Sequence, residues 1–113
     1  MLSHVSPAQF DDWIKRFEGT QAPLVLDVRE PWEVAQSSVK AEGFELVNIP
    51  MGEILSRLQE LDPDRPIACL CHHGARSMSV AQYLATHDFA DVTNITGGID
   101  AWTRERDASV PRY

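Results

Sequence analysis

Two spacings of apolar residues alternate along the chain, and the alternation predicts the class of fold. Short continuous apolar runs cover Leu24–Val28, Phe44–Ile49, Pro66–Cys71 and Val92–Ile95. Such runs are typical of parallel strands that are covered on both faces. Between them, apolar residues recur with helical spacing. Strands that alternate with helices predict an α/β fold, with a central parallel sheet of about five strands and helices on both faces.

Capping residues and helical spacing predict five helices. They cover Ser6 to about Glu18, Glu30 to Val34, Met51 to Leu61, a segment through Met78 to Ala85, and Ile99 to about Glu105. The first helix opens with a capping-box pattern, Ser6-Pro7-Ala8-Gln9. The end of the sequence, 107–113, predicts a loose tail. We therefore expect a single domain over residues 1–106, followed by a C-terminal tail over residues 107–113.

Composition narrows the range of partners. The 113 residues are 43% hydrophobic and 24% charged, which suits one domain with one core. The net charge of −7 disfavours nucleic acid and anionic membrane surfaces, because both attract basic proteins. No stretch approaches the roughly 18 apolar residues of a membrane span, and no secretory leader is evident. We expect a cytoplasmic protein whose partners are small molecules or proteins, with no nucleic acid and no membrane.

The two cysteines, Cys69 and Cys71, are predicted to have different roles. Two residues apart on a strand, their Cα atoms would be about 6.6 Å apart, near the upper limit for a disulfide. Two reduced thiols are therefore expected. Cys69 lies inside the predicted strand and is expected to be a small buried apolar residue. Cys71 lies at the end of that strand, where ligands of open α/β sheets bind.

The segment from Cys71 to Ser77 turns from a strand into a helix and carries the candidate chemistry. Gly74 can adopt the backbone angles of a sharp turn, so that successive amides converge on Cys71. The helix N-terminus favours a negative charge by about 0.3 to 1 kcal/mol, which favours the nucleophilic thiolate. Arg76 could bind an oxyanion such as thiosulfate, or it could pair with an acidic side chain. We predict that Cys71 is a nucleophile and that its thiol is open to solvent at the mouth of the sheet.

The pattern Cys71-x-x-Gly74-x-Arg76-Ser77 resembles the active-site loop of rhodanese domains. Three further segments, 26–33, 48–50 and 97–102, are similar to other signatures of that family and occur in the same order. The resemblance extends from about Val5 to Trp102 and implies a rhodanese-like α/β fold. The chain departs from the family at Ser37-Ser38-Val39-Lys40, where many members have a Gly-His-Ile-like stretch. The shape of that loop is therefore not implied by the resemblance.

The resemblance also implies a two-step sulfur transfer without a metal or cofactor. Cys71 would take the sulfane sulfur of thiosulfate or of a persulfide donor, and would pass it to a thiol, cyanide or protein acceptor. The backbone of His72, His73, Gly74, Ala75 and Arg76 would hold the transferred sulfur. Asp27, Arg29 and Ser77 would support the site.

Other functions are compatible with parts of the same pattern. A cysteine phosphatase or arsenate reductase also places a cysteine before an arginine, but its loop has five intervening residues, and four separate Cys71 from Arg76. A non-catalytic binding module of the same family typically lacks the cysteine. A protein-to-protein persulfide carrier remains open. A metal site made of Cys69, Cys71, His72 and His73 is not expected, because nearly consecutive residues rarely converge tetrahedrally.

Overall fold

The structure, a computed structural model, describes residues 2–113 and contains one five-stranded parallel sheet. The strands are β1 (Leu2–Val5), β2 (Leu24–Asp27), β3 (Glu45–Asn48), β4 (Ile67–Leu70) and β5 (Val92–Ile95). Their order across the sheet is β1-β5-β4-β2-β3. The prediction of an α/β fold with a parallel sheet of about five strands is confirmed.

Four of the five strands lie where apolar runs predict them. Every residue of the two inner strands β2 and β4 is buried, which explains why their sequences are continuously apolar. The fifth strand, β1, was not placed. It lies at the sheet edge and pairs with β5 alone, in the register Leu2 to Val92. Its middle residues Ser3 and His4 are exposed, so no apolar run indicates it.

The helices are α1 (Phe10–Lys15), α2 (Pro31–Gln36), α3 (Ala75–Ala85) and α4 (Gly98–Glu105). The first is shorter than predicted, because a 3-10 turn over Pro7–Gln9 precedes it and α1 ends at Lys15. The predicted capping box does not form there, since the Ser6 hydroxyl donates to the Gln9 side chain at 3.2 Å. A capping box does occur at α2, between Glu30 and Glu33.

The single α-helix predicted over Met51 to Leu61 is wrong. The segment contains two 3-10 turns, Met51–Glu53 and Leu58–Glu60. Most of its backbone bonds span three residues, as in the 3.4 Å bond from the Ile54 amide to the Met51 carbonyl, and one, from the Arg57 amide to the Glu53 carbonyl, spans four. The apolar residues do not share one face, since Ile54 is buried and Leu55 is 69% exposed. Apolar spacing alone therefore overestimated the regularity of this segment.

The sheet separates two hydrophobic cores, and alternate side chains of each inner strand enter different ones. One core is aromatic, with Phe10 5.0 Å from the rings of both Trp13 and Trp102. The other is aliphatic and contains Cys69 and Cys71, both as free thiols. Within residues 2–113, no helix has the length and apolar character needed to cross a bilayer.

Residues 107–113 pack against the domain, so the expectation of a loose tail is wrong. Val110 is buried in the aromatic core, and its carbonyl accepts a hydrogen bond from the Thr103 hydroxyl at 3.0 Å. Lys40 donates to the Ser109 hydroxyl at 2.8 Å, and Ser37 donates to the Pro111 carbonyl. These contacts fix the tail across the loop that departs from the family pattern.

Candidate active site

Cys71 lies where the topology of the sheet creates a crevice. The neighbouring strands β2 and β4 are parallel, and the chain continues from β2 outward to β3 and from β4 outward to β5. Connections that diverge in this way leave a binding crevice beyond the carboxyl ends of the strands. Cys71 directly follows β4, and α3 begins four residues later. The turn between them has Gly74 at a φ of +106°, which favours glycine.

The Cys71 thiol is enclosed and hydrogen-bonded. The Gly74 amide donates to Sγ at 3.0 Å, and within residues 2–113 it is the one backbone amide with hydrogen-bond geometry to that sulfur. Cys71 is only 1% exposed and belongs to the aliphatic core. The prediction of a thiol open to solvent, ringed by several amides, is therefore wrong for this conformation. Cys71 is thus packed at the end of β4, and one amide, that of Gly74, donates to its sulfur.

The backbone of α4 holds the start of the loop. The amides of Ile99 and Asp100 donate to the carbonyls of Cys71 and His72, at 2.8 and 3.1 Å. A Cβ atom at Gly98 would lie 2.5 Å from both of those carbonyl oxygens. This close approach explains the glycine at position 98, because a side chain there would push the helix away from the loop.

Ser77 and Asn94 hold the loop where it enters α3. The Ser77 hydroxyl donates to the Asn94 side-chain oxygen at 2.6 Å and contacts the Gly74 carbonyl at 3.2 Å. Both residues are buried. These contacts place Ser77 behind the loop, and its supporting role stays a prediction. Asn94 was missed, although a polar residue in a fully buried strand is a signal that it has a specific partner.

Arg76 pairs with Glu33. Its two terminal nitrogens lie 2.7 and 2.8 Å from the two carboxylate oxygens, so the contact is bidentate. The hydrogen bond from Arg76 is the main reason that the pKa of Glu33 falls to about 2. Of the two roles left open for Arg76, the structure shows the ion pair with an acidic residue. Glu33 lies within the 26–33 signature, but no sequence pattern indicates this role for it.

Asp27 and Arg29 form a second ion pair, which is fully buried. Arg29 Nη2 lies 2.7 Å from Asp27 Oδ2, and Arg29 Nη1 donates to the Tyr113 hydroxyl at 3.1 Å. That hydroxyl donates in turn to Glu33 Oε2 at 2.7 Å. A continuous chain of polar contacts therefore joins Asp27 to Arg76. Tyr113 had no role in the sequence interpretation, because nothing in the local pattern of the tail indicates that it reaches this site.

Aromatic rings cover the loop beside Cys71. The His72 ring stacks on the His73 ring, with centroids 3.9 Å apart, and on the Tyr113 ring, with centroids 4.0 Å apart and planes 9° apart. Burial lowers the pKa of His72, and so does the neighbouring His73. Both effects favour the neutral form of His72. The remaining loop residues, His73 and Ala75, are exposed at the rim.

A cysteine-bearing strand-to-helix loop at the crevice of a parallel α/β sheet is the arrangement that the resemblance to rhodanese domains implies. The family model described as the rhodanese-like domain matches residues 6–105. This chain belongs to that family.

Relatives of the chain agree with the family assignment. A protein of Allochromatium vinosum named sulfurtransferase is 34% identical over 90 residues, which cover 80% of each chain. The crystal structure of a rhodanese-related protein from Thermoplasma volcanium superposes with a TM-score of 0.76 at 30% identity, covering 92% of this chain and 93% of that one. The polysulfide-sulfur transferase homodimer of Wolinella succinogenes superposes with a TM-score of 0.68 at 25% identity, covering 92% of this chain and 74% of that one. The family is therefore one of sulfurtransferases.

Proposed function

We propose that this chain is a sulfurtransferase that moves a sulfane sulfur through a persulfide on Cys71. The hydrogen bond from the Gly74 amide to Cys71 Sγ, at the strand-to-helix turn of the crevice, is the observation that carries the proposal. An amide aimed at the sulfur stabilises negative charge on it, and the thiolate is the form that attacks. The buried position of the sulfur requires local opening of the loop rim before a donor can reach it.

The reaction balances without any redox partner. The thiolate attacks the outer sulfur of thiosulfate, a new S–S bond forms, and the S–S bond of the donor breaks so that sulfite leaves with the electron pair. An acceptor thiolate or cyanide then attacks the outer sulfur of the persulfide, and the Cys71 thiolate is the leaving group. With a persulfide donor, a thiolate leaves in place of sulfite.

Backbone groups are the donors that we assign to the transferred sulfur. The first turn of α3 leaves amides without partners inside the helix, and the positive end of the helix dipole lies there. The loop from His72 to Arg76, including His73, Gly74 and Ala75, would wrap the outer sulfur with these amides. Arg76 is paired with Glu33 and therefore contributes no free cation.

The polar chain behind the loop supplies rigidity. Asp27 and Arg29 are buried and bound to each other, and Ser77 is bound to Asn94, so none of them is free to bind a donor. We assign these three residues to support of the loop. Because Arg76 is paired with Glu33, it offers thiosulfate no unpaired cation. A persulfide donor therefore suits the site equally well. Two free thiols also fit the reducing conditions of the cytoplasm, the compartment that we propose.

Intact-mass spectrometry after incubation with thiosulfate tests this function. Wild-type protein should gain one sulfur atom, Cys71→Ser should gain none, and Cys69→Ala should gain one as the wild type does. Cys69 is the matched control because burial raises its pKa to about 12, which keeps it protonated. Equal gain in the wild type and Cys71→Ser, or no gain in any protein with either thiosulfate or a persulfide donor, would overturn the proposal in favour of a non-catalytic binding module.

The acceptor is tested on the loaded protein. Loss of the added sulfur to cyanide or to a small thiol supports a small-molecule enzyme. Loss only to a protein thiol supports a persulfide carrier. Turnover of a phosphoester would contradict the assignment, because the four-residue loop should fit one sulfur better than a tetrahedral phosphate.

A further inference from the structure

Tyr113 contacts both the active loop and the residues that support it, and no sequence pattern indicates these contacts. Although 42 positions separate it from Cys71 along the chain, its ring lies on His72, the residue directly after the proposed nucleophile. Its hydroxyl lies between the two ion pairs behind the loop. Tyr113 therefore joins groups that belong to both ends of the loop.

The ring fixes the first side chain of the loop. Tyr113 and His72 are almost parallel, 9° apart, with centroids at 4.0 Å. The carbonyl of His72 is held by the Asp100 amide at 3.1 Å. Both the side chain and the backbone of His72 are thus restrained. This restraint limits how far the Cys71 to Gly74 turn can move.

The hydroxyl fixes the carboxylate that holds the last side chain of the loop. It donates to Glu33 Oε2 at 2.7 Å, and the same oxygen accepts from Arg76 at 2.8 Å. It also accepts from Arg29 at 3.1 Å, and the Arg29 guanidinium lies 5.6 Å from the Tyr113 ring centroid. Glu33 is consequently oriented from two sides, and Arg76 through it.

The preceding tail residues place Tyr113 with little freedom. Arg112 bonds to the Asp100 carboxylate at 3.0 Å, and Ser37 donates to the carbonyl of Pro111. Lys40 bonds to Ser109 at 2.8 Å. Ser37 and Lys40 belong to the stretch in which this chain departs from the family pattern. The departure and the docked tail are thus parts of one local arrangement.

We propose that Tyr113 is a positioning residue for sulfur transfer at Cys71. It acts through two routes, the stacked ring of His72 and the carboxylate of Glu33 that clamps Arg76. The role rests on the proposed function, because it needs a persulfide on Cys71 to be measurable. It does not require Tyr113 to touch the donor or the transferred sulfur.

The test separates the two routes with two variants. The rate of sulfur loading from thiosulfate, measured by rapid quench and intact mass, is compared in the wild type, Tyr113→Phe and Tyr113→Ala. Loss of the hydroxyl alone should slow loading at saturating thiosulfate about fivefold, the size of one hydrogen bond. Loss of the ring as well should slow it about 30-fold. The thiosulfate concentration for half-maximal rate should change less than about twofold, since the residue positions the loop and does not bind the donor.

Two further measurements exclude a general effect on folding. The His72 ring protons should show the ring-current shift of a stacked aromatic in the wild type and Tyr113→Phe, and should lose it in Tyr113→Ala. In a Glu33→Gln background, the loss from Tyr113→Phe should disappear, because the hydroxyl then has no carboxylate to orient. Tyr83→Phe is the matched control, since Tyr83 also stacks on a histidine, His87, at 3.9 Å, but near the other end of α3. It should load at the wild-type rate.

The outcomes distinguish the two proposals. If the wild type gains no sulfur, the proposed function fails. If the wild type loads and folded Tyr113→Ala loads equally fast, the positioning role is overturned and the function stands. A slowed Tyr83→Phe, or a variant in which only the half-saturating thiosulfate concentration rises, would also overturn the positioning role. If Tyr113→Ala does not fold, Tyr113→Phe and its Glu33→Gln background decide the question.

Discussion

The two ends of the active loop are held in different ways. At the start, the carbonyls of Cys71 and His72 accept hydrogen bonds from backbone amides of α4. At the end, Arg76 is held by the side chain of Glu33, which is oriented by Tyr113. Backbone bonds carry no side-chain entropy cost and no titrating group. The side-chain bonds at the end cost side-chain entropy, and they include groups that titrate.

The difference shows which part of the loop can be adjusted. The start carries the nucleophile, and its geometry depends on the absence of a side chain at Gly98. The end depends on Glu33, Asn94 and Tyr113, which come from three distant parts of the chain. A substitution at the end of the loop can weaken one contact and leave the others in place, whereas the start of the loop tolerates little change.

Gly98→Ala should have the largest effect, because it places a new side chain directly against the start of the loop. The new Cβ would lie 2.5 Å from the carbonyl oxygens of Cys71 and His72, and the φ of +60° is strained for alanine. Strain and overpacking together should lower the free energy of unfolding by about 3 kcal/mol or more. Urea denaturation measures that loss, and sulfur loading of Cys71 should fall below detection in the fraction that still folds.

Gly52→Ala is the matched control for this substitution. A Cβ at Gly52 meets no atom within 4 Å, and its backbone is not in the left-handed region. It should leave stability unchanged or slightly higher, by up to about 1 kcal/mol. Equal stability of the two alanine variants would refute the idea that α4 and the loop are in obligatory contact at position 98.

Glu33→Gln should have an intermediate effect, because it weakens the end of the loop and spares the start. Hydrogen bonds to charged groups contribute about 1.5 to 3 kcal/mol, and the 37% exposure of the Arg76 side chain places the expected loss at the lower end, about 2 kcal/mol. The Gly74 amide should still reach Cys71 Sγ. Sulfur loading should therefore be slowed but retained.

Acid dependence distinguishes this carboxylate from other causes of instability. The pKa of Glu33 falls from its ordinary value of 4.5 to about 2 in the folded chain, chiefly through the hydrogen bond from Arg76. A lowered folded-state pKa means that Glu33 stabilises the fold fully above about pH 4.5 and that this contribution is lost as pH falls to 2. The difference in urea midpoint between the wild type and Glu33→Gln should shrink across that interval. A difference that stays constant from pH 5 to pH 2 would contradict the ion pair as its source.

The fold was predictable to the extent that its elements are marked by local patterns. The inner strands β2 and β4 are buried on both faces, and the continuous apolar runs that result are visible in the sequence. The edge strand β1 has exposed residues on both faces, Ser3 and His4, and no such run. The segment from Met51 to Leu61 has helical spacing, but its exposed Leu55 shows that spacing does not report which side chains a tertiary structure covers.

The site was predictable where its residues are adjacent in the chain. Residues 71–77 form one loop, and the structure brings them together at the expected end of β4. Glu33, Asn94 and Tyr113 reach the loop through the tertiary fold, so their roles depend on distances that no local pattern encodes. For Glu33 a signal existed, since Arg76 needed an acidic partner or a ligand. For Tyr113, the position at the end of the sequence predicted a loose tail, and no local pattern indicates the anchoring contacts of Val110 and Ser37.

Ser77→Ala should have the smallest effect of the three substitutions and sharpens the contrast between the ends. The variant removes a hydroxyl that bonds to Asn94 at 2.6 Å and contacts the Gly74 carbonyl at 3.2 Å, and it leaves the Glu33 pair in place. One neutral hydrogen bond contributes about 1 kcal/mol, and the loss should be seen in the urea midpoint. Ser79→Ala, on the exposed face of the same helix, is the matched control and should be neutral. If Ser77→Ala proved as neutral as Ser79→Ala, the end of the loop would depend on Arg76 alone. If Ser77→Ala instead cost as much as Gly98→Ala, the end would be as rigidly determined as the start, and the contrast between them would be wrong.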